Sequence, residues 1–175
     1  TLAYASVTRN GLSFKHQLWM RPEIVKPLRR ITDAIHDEGA KASIQLGHCG
    51  NMSHRSTAGQ ITISASTGFN LYSPTFVRGM RKDEIEEVAK AFGTAVNTAR
   101  DAGFDAVEIH AGHGYLISQF LSPYTNRRRD EYGGSLDNRM RFMRICMKNV
   151  MKAAGNDMAV IVKTNMRDGF KGGIE

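Results

Sequence analysis

The sequence predicts an α/β fold with a parallel sheet, and three observations carry that reading. Apolar faces at helical spacing recur over residues 22–38, 83–102 and 136–154. Each is followed by a short apolar or β-branched run, at 41–46, 106–109 and 159–165. Long polar loops open after the first two runs. Strands that recur behind helices need crossover connections, which makes them parallel neighbours. Periodicity leaves two architectures standing, a closed barrel and an open doubly wound sheet.

In chain order, residues 1–20 read as the tail of a loop. Pro22 suits a first helical position, with Ile24, Leu28, Ile31 and Ile35 as the apolar face. Pro27 predicts a kink or a delayed start, and Gly39 a left-handed stop. Lys41 to Leu46 is the next strand. The connection over 47–82 is long, which marks a functional or mobile loop. Within it Ile61–Ser64 and Phe76–Val77 are expected to pair as a small hairpin. His48, Cys49 and His54 could be read as metal ligands, but no paired-cysteine spacing supports a zinc site and none is assigned. The second helix carries Ile85, Val88, Phe92, Val96 and Ala99 on one face and stops at Gly103. The third buries Phe142, Ile145 and Val150 and stops at Gly155, its methionines and Cys146 serving as packing. Ala159 to Asn165 is the last strand, and Gly172–Glu175 reads as the loop beyond it.

Composition excludes several classes. With 175 residues, 41% hydrophobic and 23% charged, the chain can build one core. No apolar run approaches the ~20 residues of a membrane helix. The first residues, TLAYASVTRNG, lack the pattern of a signal peptide. Two cysteines give no disulfide framework and suit a reducing, cytoplasmic setting. The net charge of +7 is scattered except at Arg127–Arg129 and Arg139–Arg144, and no nucleic-acid motif accompanies it. Neither nucleic acid nor membrane is therefore an expected partner.

The chain is organised around residues 104–139. The strand Ala106–Ile109 breaks into His110-Ala-Gly-His113-Gly-Tyr115, so two imidazoles and a phenol emerge within six residues. Gly112 and Gly114 disfavour a regular helix there and point to one tight turn. An apolar turn, Leu116 to Leu121, follows, then Arg127–Asp130 and the Gly133–Gly134 pair. Strand, polar cluster and helix in succession place chemistry at a strand's carboxyl end.

The segment HAGHGYLISQFLSPYTNRRRDEYGGSLDNRMRF resembles the signature of the Old Yellow Enzyme family, the FMN-dependent NADH:flavin oxidoreductases. A match of about thirty residues with its spacing intact is far more specific than a short glycine motif. Gln45-Leu-Gly-His48-Cys49-Gly also resembles that family's Gln-Leu-x-His-x-Gly. The resemblance decides for the barrel. It implies a partial TIM (β/α)8 barrel over residues 1–175, from the loop after the second strand through strands three to five. A complete barrel needs about 250 residues. An isolated chain of this extent is expected to bind FMN weakly and to expose unpaired sheet edges.

The resemblance also implies roles. An electron-poor alkene, a small molecule, is reduced by hydride from FMN, with NADH or NADPH as the electron source. His110 and His113 donate hydrogen bonds to the substrate's carbonyl oxygen, and Tyr115 supplies a proton. Gln45 hydrogen-bonds the flavin, since an amide offers both donor and acceptor. Lys163 stands where the family keeps a cation beside the reduced flavin's negative charge. Arg127–Arg129 and Arg139 are expected to hold the turn through ion pairs with Asp130 and Asp137. The paired histidines tilt towards bacterial ene-reductases and towards longer enzymes that add 4Fe-4S and FAD and act on dienoyl thioesters or amines. A homo-oligomer is the expected assembly. The alternative is a non-catalytic half-barrel that keeps the signature without flavin.

Overall fold

A computed structural model describes residues 1–71 and 74–174; Glu175, the end of the expected closing loop, lies outside them. The chain begins with a strand, β1 (Leu2–Ser6), followed by α1 (Val25–Asp37), β2 (Ser43–Gly47) and a short α2 (Arg55–Ala58). Three small strands come next, β3 (Thr62–Ser64), β4 (Gly68–Asn70) and β5 (Thr75–Gly79). The chain continues with α3 (Lys82–Asp101), β6 (Ala106–Ala111), α4 (Leu116–Leu121), α5 (Leu136–Ala154) and β7 (Ala159–Thr164).

The main sheet runs β1-β2-β6-β7, every pair parallel. Its spatial order follows chain order, whereas a doubly wound sheet reverses direction part-way. The long helices lie side by side, α1 against α3 and α3 against α5, so one face of the sheet is covered. Ile44 and Leu46 of β2, and Val107 and Ile109 of β6, are buried beneath them with Phe92, Val96 and Phe142. The alternate residues, among them Gln45, Glu108, His110 and Lys163, share the opposite face. This is an arc of barrel wall, helices outside and functional side chains inside.

The two long helices match their sequence patterns. Ile85, Val88, Phe92, Val96 and Ala99 are all buried in α3; in α5 Phe142 and Val150 are buried as expected, while Ile145 is half-buried and Cys146 takes the interior position beside it. Ser135 caps α5 by accepting from the Asn138 amide at 3.3 Å. Glu84 accepts from the Arg81 amide at 2.8 Å at the start of α3.

Four expectations are corrected. Residues 2–6, read as loop, form β1, because Ala5 packs fully buried under the helices and Ser6 pairs with Gly47. On α1, Leu28 and Thr32 are the buried pair and Ile31 is exposed. Ile24 and Ile35 pack against the core as expected, and the place expected for Ile31 is taken by Thr32, whose hydroxyl donates to the Ala102 carbonyl just after α3 at 2.6 Å. The delayed start expected from Pro27 is seen: Pro22–Ile24 form a 3-10 turn and α1 begins at Val25, with Pro27 in its first turn, where no intrahelical donor is lost. The expected hairpin does not pair as read: β3 and β5 run parallel, and the hairpin partner of β5 is β4, with Phe69 opposite Phe76. Arg128 does pair with Asp130, but Asp137 pairs with Arg144, while Arg139 donates to the Leu121 carbonyl at 2.8 Å.

Among the described residues, no helix is long and apolar enough to cross a membrane.

Candidate active site

The carboxyl ends of the four parallel strands meet at one rim. His110 stands opposite Lys163 in the β6–β7 register, and Gln45 stands opposite Glu108 between β2 and β6. The turn after β6 then places His113 and Tyr115 beside His110. The ring centroids are 4.9 Å apart for His110–His113 and 4.8 Å for His110–Tyr115. All three members of the sequence cluster therefore come together.

The hydrogen-bond network assigns the tautomers. The Gly112 amide donates to His110 Nδ1 at 3.4 Å, so the proton of a neutral His110 sits on Nε2. That nitrogen lies 3.2 Å from His113 Nδ1 and donates to it. His113 Nε2–H is then the donor left facing outward. For both rings to reach one ligand oxygen, His110 must turn its Nε2–H from His113 to the ligand.

The surroundings keep His110 and Tyr115 uncharged. Burial, with the charges of His113 and Lys163 nearby, pushes the His110 pKa down to about 4. Burial also raises the Tyr115 pKa above the ordinary phenol value, with Cys49 adding to it and a hydrogen bond with Ser13 opposing it. At neutral pH the site thus presents a neutral His110 imidazole and a protonated Tyr115 phenol.

Gln45 donates its side-chain amide to the Glu108 carboxylate, leaving the carbonyl oxygen free to accept. Lys163 is solvent-exposed on the edge strand β7. Gln119 locks the surrounding loops. Its amide nitrogen donates to the Gly114 carbonyl at 2.6 Å and to Asn51 Oδ1 at 2.8 Å, and its oxygen accepts from the Ser64 hydroxyl at 3.0 Å.

The residues considered for metal serve local structure instead. His48 Nδ1 accepts from the Gly50 amide at 3.0 Å, and burial pushes its pKa down to about 3. The Cys49 thiol is buried and pushed up to about 12. His54 caps α2 by accepting from the Ser56 amide. Among the described residues, no three His, Cys, Asp or Glu side chains gather as a metal site.

Three site residues escaped the sequence reading. Tyr4 of β1 sits edge-on to Tyr115 at 5.2 Å and its hydroxyl donates to the Gly11 carbonyl at 3.2 Å. Glu108 holds Gln45, and Asn165 accepts from the His113 amide at 3.0 Å. A carboxylate two residues before His110, inside an apolar strand, was a readable signal for Glu108. Tyr4 and Asn165 gave none, because their partners are distant in sequence.

The family model for NADH:flavin oxidoreductase / NADH oxidase proteins matches residues 2–175. The chain belongs to this family. It is similar to the 4,4'-dithiodibutanoate disulfide reductase of Rhodococcus erythropolis, with 39% identity over 174 residues, 99% of this chain and 43% of that one. Among solved structures, it superposes on an Old Yellow Enzyme homologue from Zymomonas mobilis with a TM-score of 0.88 and 29% identity, covering 98% of this chain and 51% of that chain. A 2-naphthoyl-CoA reductase matches with a TM-score of 0.90 and 29% identity, over 97% of this chain and 28% of that chain. The chain spans less than half the length of the curated relatives it matches. With these NADH:flavin oxidoreductase relatives, the arc of four strands is part of a (β/α)8 barrel.

Proposed function

We propose that this chain is part of an FMN-dependent NAD(P)H oxidoreductase that reduces carbon–carbon double bonds conjugated to a carbonyl. The observation that carries the proposal is the convergence of His110, His113 and Tyr115 at one rim, with Gln45 and Lys163 on the same inner face.

The residues fit a flavin. Gln45 keeps a carbonyl oxygen free, which suits the N–H of a pyrimidine-like edge, while Lys163 supplies a cation two strands away. Gly47 has no room for a side chain: a Cβ there would lie 2.5 Å from the Tyr4 ring. When bound, FMN would supply the hydride that it receives from NADH or NADPH.

The chain's own residues do the rest. His113 Nε2–H, joined by His110 Nε2–H once it turns, stabilises charge developing on the substrate carbonyl oxygen. One such preorganised donor is worth ~2.7–4 kcal/mol. Tyr115, kept protonated by its surroundings, gives its proton to the carbon next to the carbonyl. Enones and enoates are the proposed substrates, with thioesters of unsaturated acids in view given the similarity to a CoA-ester reductase. An additional iron–sulfur cluster and FAD would accompany the thioester or amine variants of this chemistry. A cytoplasmic homo-oligomer, with no nucleic acid or membrane partner, completes the proposal.

The test uses the full-length protein. Bound flavin and iron are measured first, and a colourless protein that takes up no added FMN would favour a binding module instead. With flavin present, His110→Ala should weaken phenol and enone binding. Tyr115→Phe should slow alkene reduction while sparing flavin reduction by NAD(P)H. Unchanged affinity and turnover in both variants would sink the assignments.

A further inference from the structure

The turn after β6 takes a conformation that its own residues do not choose. His113 has φ of 55° and Gly114 follows at 68°, two left-handed residues in succession. Glycine adopts this region freely, whereas a histidine enters it more readily than most side chains yet still uncommonly. With Gly112 and Gly114 on either side, the local chain has many cheaper alternatives, so something outside it must select the observed one.

The selecting contact comes from the next strand. Asn165, directly after β7, accepts a hydrogen bond from the His113 backbone amide at 3.0 Å, across 52 residues of sequence. Gly112 lets it in: a Cβ at that position would lie 2.8 Å from the Asn165 side-chain oxygen. The same turn sets the 3.2 Å separation between His110 Nε2 and His113 Nδ1. The site's outward donor is therefore placed by a residue that bonds the His113 backbone and not its imidazole.

We propose that Asn165 is a positioning residue that fixes where His113 stands and so tunes the oxygen-binding geometry of the histidine pair. This rests on the reading of the pair as a clamp for a ligand oxygen. Asn165 acts through one backbone hydrogen bond, and His113 carries the effect.

The test uses full-length, flavin-loaded protein, with 4-hydroxybenzaldehyde as an equilibrium probe and 2-cyclohexenone as a turnover probe. Asn165→Ala, with Asn165→Leu as a second variant of similar bulk, should raise the phenol Kd and the enone KM about tenfold. Flavin content should stay unchanged. Asn165→Asp keeps an acceptor oxygen in the same place and should restore most of the affinity. In a His113→Ala background, removing Asn165 should cost nothing more, because the residue it positions is already gone.

Additive losses in the double variant would overturn the proposal, since Asn165 would then act elsewhere. So would wild-type affinity in both Asn165→Ala and Asn165→Leu. If His113→Ala alone leaves both probes unaffected, the clamp reading itself fails and the positioning role falls with it. The single His113 variant thus separates the two failures.

Discussion

The side-chain amide of Gln45 on β2 donates to the carboxylate of its register partner, Glu108 on β6. An ionised carboxylate only accepts, so Glu108 fixes which end of the amide faces β6. The carbonyl end is left for a ligand donor. Gln45→Ala should therefore weaken FMN binding in the full-length protein about tenfold, the scale of one net hydrogen bond of ~1–1.5 kcal/mol. Glu108→Ala should act in the same direction, and the two losses should not add. Titration of FMN fluorescence checks both, and equal affinity in wild type and Gln45→Ala would remove Gln45 from the cofactor site.

Arg128 is structural. Its guanidinium grips Asp130 through two bonds, of 2.9 and 2.6 Å. It also donates to the carbonyls of Ala65 and Met80 at 3.0 and 2.7 Å, while lying 5.9 Å from the Phe120 ring centre. The side chain is only 11% exposed. Removing the guanidinium strands Asp130 and two carbonyls in a half-buried setting, and Arg128→Ala should cost about 2–3 kcal/mol. Arg128→Lys should recover little, since an ammonium cannot reproduce a planar fork with four acceptors. Denaturant unfolding followed by circular dichroism measures the loss. A change below about 1 kcal/mol would place this arginine with ordinary surface pairs.

What could be read in the sequence follows from how local each signal is. The helices α3 and α5 have apolar faces repeated over several turns, and both ends of each fell within a residue of their expected places. The cluster His110, His113 and Tyr115 was legible because its members share one turn. By contrast β1 is five residues with no alternation, and its strand character comes from lying beside β2. The order β3-β5-β4 was hidden because three residues of β4 carry too little pattern. Tyr4 and Asn165 reach the site only when β1 and β7 align with β2 and β6, a relationship that no local window contains.

Gly50 offers a test of the loop lock. It has φ of +60°, and an added Cβ would sit 2.2 Å from the buried Gln119 oxygen. Gln119 has no room to retreat without breaking its bonds to Asn51, Ser64 and Gly114. Gly50→Ala should thus destabilise by about 2–4 kcal/mol, combining backbone strain with lost buried hydrogen bonds. The damage should extend to the site, because Gly114 beside His113 is held by the same amide. Hydrogen exchange should report faster opening at residues 112–116 in this variant. Exchange there matching wild type would show that Gln119 does not hold the turn.

Acid should destabilise the protein in a window that carboxylates do not explain. His48 and His110 are 1% and 4% exposed, and their pKa values fall from 6.5 to about 3 and about 4. A depressed histidine binds fewer protons folded than unfolded, so acidification favours the unfolded chain. Their contribution is complete above pH 6.5 and is lost progressively as pH falls towards 4 and 3. Asp105, held below the usual carboxylate range by Lys41, His36 and the Ala42 amide, contributes its loss only below its unfolded value of 3.8. Between pH 6.5 and 4.5 the decline therefore belongs to the histidines, at about 2–3 kcal/mol each by pH 4.5. His48→Asn can still accept from the Gly50 amide but does not titrate. It should cut the slope of stability against pH in that window by about half, whatever its offset at pH 7. A slope equal to wild type would mean that the His48 imidazole titrates normally in the folded protein.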